Sequence, residues 1–115
     1  MKKPLLAITM GDPAGVGAEI IVKAYEELSS GSATIFVIGS ADCLRQAMLQ
    51  TGCQHRIKVI GSPQNVVDSL QAIQVLEPVS FDASGLVIGQ VAASCGEAAV
   101  RYFETAVGLC LDAQI

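Results

Sequence analysis

Gly11, Asp12, Gly15 and Gly17 are the residues of this chain whose types and spacing could do chemistry. They lie within Ile8-Thr9-Met10-Gly11-Asp12-Pro13-Ala14-Gly15-Val16-Gly17-Ala18-Glu19-Ile20. An apolar run, Leu5 to Ile8, leads in, and a helical pattern leads out, with Val16, Ile20, Ala24 and Leu28 on one stripe. The order is strand, tight loop, helix N-terminus. In an open α/β sheet that junction lies at the carboxyl end of a strand, where ligands bind. Glycines let backbone approach a ligand closely, and the first turn of a helix has free N–H groups that attract anions. The glycines fall at 11, 15 and 17, which is not the dinucleotide spacing G-x-G-x-x-G. No Lys-Ser or Lys-Thr follows Gly17, so the loop is not of the G-x-x-x-x-G-K-[ST] type either. Two readings fit: a loop that faces a ligand, or a turn whose glycines only solve backbone geometry. Asp12 also has two. It could be a functional polar group, or an aspartate before Pro13 that bonds to the backbone of its own turn, which is the preferred role.

Other reactive side chains are scattered. The four cysteines, at 43, 53, 95 and 110, contain no C-x-x-C pair, and nothing else marks a disulfide framework. Cys95 and Cys110 fall on the apolar side of a helical pattern and read as small core residues. Cys53-Gln54-His55 has one thiol and the chain's one histidine, too few convergent ligands for a metal, and reads as a loop at a helix end. Asp82 and Ser84 read as ordinary loop residues.

The elements that must position the loop follow in order. Leu5 to Thr9 is expected as the first strand, and the first helix from about Val16 to Ser29, closed by Ser29-Ser30-Gly31. Glu19, Lys23 and Glu27 are spaced four apart for ion pairs on its outer face. The β-branched run 34–38 reads as a buried second strand. Ser40 or Asp42 can cap a helix that runs to Thr51 and stops at Gly52. Arg56 to Ile60 gives a third strand, and the β-α-β-α-β order is half of a doubly wound sheet. Gln64 to Leu70 is expected as a short helix, 73–76 as a strand and 79–88 as loop. A long helix from about Ala92 or Ser94 to Ala113 closes the chain, with Val91, Cys95, Ala98, Tyr102, Ala106, Leu109 and Ala113 at helical spacing. Ser94 with Glu97 has capping-box spacing, and Glu97 with Arg101 suits an ion pair.

Thr9 to Gly17, with Glu19 and Ile20, resembles the opening signature T-M-G-D-P-A-G-[IV]-G-P-E-I of the PdxA family, the 4-hydroxythreonine-4-phosphate dehydrogenases and their relatives. Ala18 stands where that pattern has proline, which removes a helix-start signal and leaves the loop intact. A second marker, roughly G-x-x-S-A-x-x-G-x-A-A-x-x-Y, is similar to 89–102: Gly89, Ala93, Gly96, Ala98, Ala99 and Tyr102 match, and Ala92 replaces serine. The resemblance covers the whole chain.

It implies an α/β fold, a three-layer α/β/α arrangement with a mostly parallel sheet. That would be part of a two-domain fold like that of isocitrate and isopropylmalate dehydrogenases. Residues 1–115 would form the N-terminal part of one domain, with the other domain and the catalytic stretches absent, as in a truncation, a fragment or a partial reading frame. The implied activity is oxidation of 4-hydroxy-L-threonine 4-phosphate with NAD, followed by decarboxylation, in pyridoxal phosphate synthesis. A divalent metal (Zn, Mg or Co) would assist. Relatives act on other phosphorylated hydroxy acids, such as a threonate phosphate, or on ring diols. The resemblance further implies a cytoplasmic homodimer when full length. It puts metal and catalytic ligands outside this chain, because His55 matches no ligand position. Gly11, Asp12, Gly15 and Gly17 would be a cleft-facing loop. The isolated chain is expected to be inactive. The alternative is a non-catalytic binding or interaction domain derived from the same fold.

Composition agrees with a buried parallel sheet. The chain has 115 residues, is 51% apolar and only 4% aromatic, and has mean hydropathy +0.51. Net charge is −4, with no basic run beyond Lys2-Lys3, so nucleic acid is not an expected partner. No apolar run reaches membrane-spanning length. The run Leu5 to Ile8 is too short for a signal peptide and passes straight into the Gly11 loop.

Overall fold

The computed structural model describes residues 3–28, 31–90 and 92–115. Strand β1 is Leu5–Thr9, β2 is Thr34–Ile38, β3 is Arg56–Ile60 and β4 is Ala72–Leu76. Helix α1 is Gly17–Glu27, α2 is Ala41–Thr51 and α3 is Ala93–Leu111. The sheet is parallel throughout, in the order β1-β2-β4-β3. The inserted β4 aligns Val75 with both Val37 and Val59, and Leu76 with both Ile38 and Ile60.

Handedness explains the layers. Two right-handed crossovers that step the same way, β1 to β2 and β2 to β3, put α1 and α2 on one face, where they pack on each other. The step from β3 back to β4 reverses direction, so residues 61–71 cross the other face. Helix α3 packs on β1 and β2 and completes the third layer.

The inner strands β2 and β4 are short apolar runs with buried centres. Phe36, Val37, Ile38, Ile73 and Val75 are fully buried, together with Val22, Leu44 and Tyr102 from the helices. Each such side chain contributes roughly 1.5–3 kcal/mol of burial. Ser40 caps α2: its buried hydroxyl accepts from the Cys43 N–H at 3.3 Å. Gly52, at φ +75°, ends α2 in the left-handed region that favours glycine.

Several details differ from the sequence reading. The expected helix 64–70 is a single 3-10 turn, Pro63–Asn65. Beyond it the buried Gln74 side chain clamps Val67, accepting from its N–H and donating to its carbonyl, both at 2.7 Å. Those bonds hold the backbone out of a helix. On α1 the buried residues are Ala18, Ile21, Val22 and Tyr25, whereas Val16, Ile20 and Leu28 are exposed by 57%, 58% and 42%. Both sets satisfy helical spacing, and the bulkier set won the core. Lys23 pairs with Glu19 at 2.9 Å rather than with Glu27. The expected stop at Ser29-Ser30 and the stripe position Val91 lie outside the described residues. On α3 the cap position is Ala92, with no side-chain cap, and Ser94 lies inside the helix. Glu97 and Arg101 form no ion pair among the described residues. Cys95 is buried as expected, but Cys110 is exposed, because the buried face of α3 runs through Cys95, Ala98 and Tyr102.

Burial pushes the Tyr25 hydroxyl up to about 12 and raises that of Tyr102 as well. A raised acid stays neutral in the folded state while the unfolded state ionises near 10, so stability is intact below pH 10 and is lost as pH climbs toward 12. Urea midpoints should therefore fall steeply between those values. Tyr25→Phe should flatten the fall, and an unchanged profile in that variant would contradict the assignment.

Candidate functional site

The loop between β1 and α1 is built against the carboxyl end of the sheet. Met10 is buried, and its N–H donates to the Ile38 carbonyl at 2.9 Å. Gly11 then turns the chain at φ +78°. Asp12 Oδ1 accepts the Ala14 N–H at 2.8 Å, and the Asp12 carbonyl accepts the Gly15 N–H at 2.8 Å. The aspartate thus ties its own turn, as preferred from the sequence. Pro13 and Ala14 are buried, and Asp12 is exposed.

Gly17 is fixed by close approach. A Cβ there would sit 2.0 Å from the Met10 carbonyl oxygen. The first turn of α1 starts at this point, and Val16 supplies no side-chain cap. The N–H groups of Gly17, Ala18 and Glu19 have no partner within the helix, which leaves them for an anion or for water.

The two marker segments meet. The Gly89 N–H, at φ +89°, donates to the Ala14 carbonyl at 2.7 Å. Nothing in the spacing of the sequence announced that contact. The same edge carries the Gln46 side chain, which donates to the Ala83 carbonyl at 3.0 Å and holds loop 79–88 over α2. Asp82 in that loop accepts the Ser84 N–H at 2.9 Å, and its exposed carboxyl is held low by Ser84.

The space at this edge is small. A cavity of 20 Å³ lies between Pro13, Gly15, Glu19, Cys43 and Gln46, and a cleft of 140 Å³ lies between Ala14, Asp82, Ser84 and Gln90. Small-molecule sites occupy about 300–1,000 Å³. Among the described residues neither space is large enough to enclose a cofactor. A larger groove of 550 Å³, along Met48, Leu49, Cys53 and His55, opens at the amino end of β3, across the sheet from the loop.

The reactive groups do not converge. His55 Nε2 lies 3.0 Å from the Val22 carbonyl and 3.4 Å from Glu26, with Tyr25 edge-on, so it braces α1 against the start of β3. Burial raises the Cys43 thiol, which keeps it protonated and inert. Among the described residues no three His, Cys, Asp or Glu side chains could share a metal ion. No helix of the described residues is long and apolar enough to cross a membrane.

No family model matches the chain. Individual proteins do. The chain is 38% identical over 112 residues to the 4-hydroxythreonine-4-phosphate dehydrogenase of Caulobacter vibrioides, covering 96% of this chain and 32% of that protein. It is 30% identical over 112 residues to the D-threonate 4-phosphate dehydrogenase of Pectobacterium atrosepticum, covering 96% and 34%. A crystal structure of the 4-hydroxythreonine-4-phosphate dehydrogenase from Burkholderia phymatum superposes with TM-score 0.89 at 32% identity, over 100% of this chain and 35% of that one. The chain is a homologue of the PdxA-type dehydrogenases. It spans about a third of the length of the relatives it matches. The PdxA-type fold agrees with the parallel α/β sheet described above, and both marker segments lie at its carboxyl edge.

Proposed function

We propose that this chain is the N-terminal part of one α/β domain of a PdxA-type dehydrogenase. The enzyme would oxidise a secondary alcohol of a 4-phosphorylated hydroxy acid with NAD, and 4-hydroxy-L-threonine 4-phosphate is the first candidate. Hydride would pass to the nicotinamide, the hydroxyl proton would leave, and the resulting β-keto acid would lose carbon dioxide. The reading rests on one observation above the rest. The Gly11–Gly17 loop, packed against Met10 and bonded to Gly89, stands at the carboxyl edge of a parallel sheet, the edge at which open α/β sheets generally bind ligands.

Gly11, Asp12, Gly15 and Gly17 would form a cleft-facing wall, with the free amides of the first turn of α1 available to an anionic group. A divalent metal does not fit the described residues, which bring no ligand set together. In this reading the metal ligands, the catalytic acid and base and most NAD contacts come from the other two-thirds of the protein. The whole enzyme would be a cytoplasmic homodimer.

Two polypeptides test this. One is the chain alone, and the other is the chain fused to the part of the Burkholderia phymatum relative that it does not cover. With NAD, magnesium or zinc, and 4-hydroxy-L-threonine 4-phosphate or D-threonate 4-phosphate, the fusion should produce NADH and the chain alone none. Turnover by the isolated chain would refute the placement of the catalytic groups. A folded fusion inactive on both substrates would refute the dehydrogenase reading.

A further inference from the structure

In a chain of net charge −4, two of the seven lysines and arginines stand together on one strand. Arg56 and Lys58 are alternate residues of β3, so their side chains leave the same face, about 7 Å apart along the strand. Both are exposed. Lys3, Lys23 and Arg45 each hold a carboxylate, at 3.0, 2.9 and 3.0 Å. Arg56 and Lys58 form no ion pair among the described residues.

The two cations face the segment that leads back into β4. A groove of 180 Å³ lies between them and Val67, Ser69, Gln71 and Gln74. Its far wall is fixed. Gln74, the register partner of Lys58, is buried and clamps both the N–H and the carbonyl of Val67. The Ser69 N–H donates to the Val67 carbonyl at 2.8 Å, and Ser69 Oγ accepts the Gln71 N–H at 3.1 Å. The Ser69 hydroxyl still has its proton to give, and the Gln71 side-chain amide adds two N–H donors.

No carboxylate lines this groove. Asp68 sits between two lining residues in sequence, but its side chain is bound to Lys3 and lines a separate pocket with Thr34 and Leu70. Two unpaired cations with neutral donors and no acidic group suit an oxyanion. A guanidinium matches two phosphate oxygens with its planar fork, and an ammonium adds a point charge for a third. The groove is smaller than the about 300–1,000 Å³ of sites for larger small molecules, so it suits a phosphate group and not a whole nucleotide.

We propose that this groove on β3 binds a phosphate-sized oxyanion, free or as the end of a small phosphomonoester, through Arg56, Lys58, Ser69 and Gln71. The two cations lie in the amino half of β3, whereas the Gly11 loop stands at the carboxyl edge of the sheet. This is a second anion site, separate from the loop, and it stands whether or not the full-length protein is a dehydrogenase.

Amide chemical shifts of the 115-residue chain, titrated with sodium phosphate at fixed ionic strength, test it. Sodium chloride is the control, and methyl phosphate supplies the phosphomonoester. Amides of Arg56, Lys58 and residues 67–71 should move to saturation with phosphate and stay in place with chloride. Arg56→Gln and Lys58→Gln should each weaken the binding about 10-fold. Both side chains are exposed, so neither exchange should disturb the fold. Tighter binding of methyl phosphate would assign the site to an esterified group, and tighter binding of phosphate to the free ion. Shifts that never saturate, or that chloride reproduces, would overturn the proposal. So would saturation confined to Gly17, Ala18 and Glu19, or an affinity unchanged in the double variant. If the chain alone precipitates, the Burkholderia fusion decides. Phosphate should then raise its melting temperature more than that of its Arg56→Gln/Lys58→Gln variant, and equal rises would overturn the proposal.

Discussion

Gly17→Ala is expected to destabilise the fold by about 3 kcal/mol, at the upper end of what overpacking costs. The added methyl would sit 2.0 Å from the Met10 carbonyl oxygen and 3.1 Å from its carbon. Both are backbone atoms, so no side chain can swing aside. Met10 cannot retreat either, because it is buried and its N–H is bonded to Ile38. The variant must separate the start of α1 from the end of β1, which also loosens the Ala14–Gly89 bond. Gly96→Ala is the control: it lies in α3 with nothing within 4 Å, and should stabilise by about 0.5–1 kcal/mol through helix propensity. Urea midpoints compare the three proteins. An unchanged midpoint for Gly17→Ala would mean that the loop is not held against Met10.

Tyr102→Ala should cost about 3–5 kcal/mol, the usual range for removing a buried aromatic side chain. Tyr102 is fully buried and anchors α3 to the sheet. Its hydroxyl has no hydrogen-bond partner among the described residues. A buried hydroxyl without a partner costs about 1–3 kcal/mol, so Tyr102→Phe should be neutral or more stable than the parent. Thermal melts of the two variants should therefore move in opposite directions or leave the phenylalanine unchanged. A large loss in Tyr102→Phe would show that the hydroxyl is bonded in solution and would assign it a polar role.

These two residues mark what the sequence could and could not say. The strands were legible as short runs rich in apolar residues between breakers, and Gly39, Gly52 and Gly61 mark the ends of β2, α2 and β3. The loop was legible as a strand-to-helix junction from its glycines. The reason for Gly17 was not, because the contact with Met10 is made in three dimensions by residues seven apart. The insertion of β4 between β2 and β3 was hidden as well, since chain order carries no lateral order. Helix 64–70 failed because the Gln74 side chain, from a later strand, satisfies the backbone that a helix would have satisfied itself. The stripe on α1 failed because that helix has two apolar sides, and only packing against α2 and the sheet shows which one is inside. Asp12 was read correctly as the residue that ties its own turn, a local bond that local sequence can announce. The meeting of Ala14 with Gly89 spans most of the chain and left no local signal.

The measurement that tests the central claim most directly is the mass of the native product that carries this sequence at its N-terminus, read from source-cell extract by immunoprecipitation and intact mass spectrometry. The account predicts a polypeptide close to three times the 11.9 kDa of this chain, in line with relatives of which it covers 34% and 32%. A native product of 11.9 kDa would contradict it. The loop at Gly11–Gly17 would then have to bind its ligand without the rest of a dehydrogenase.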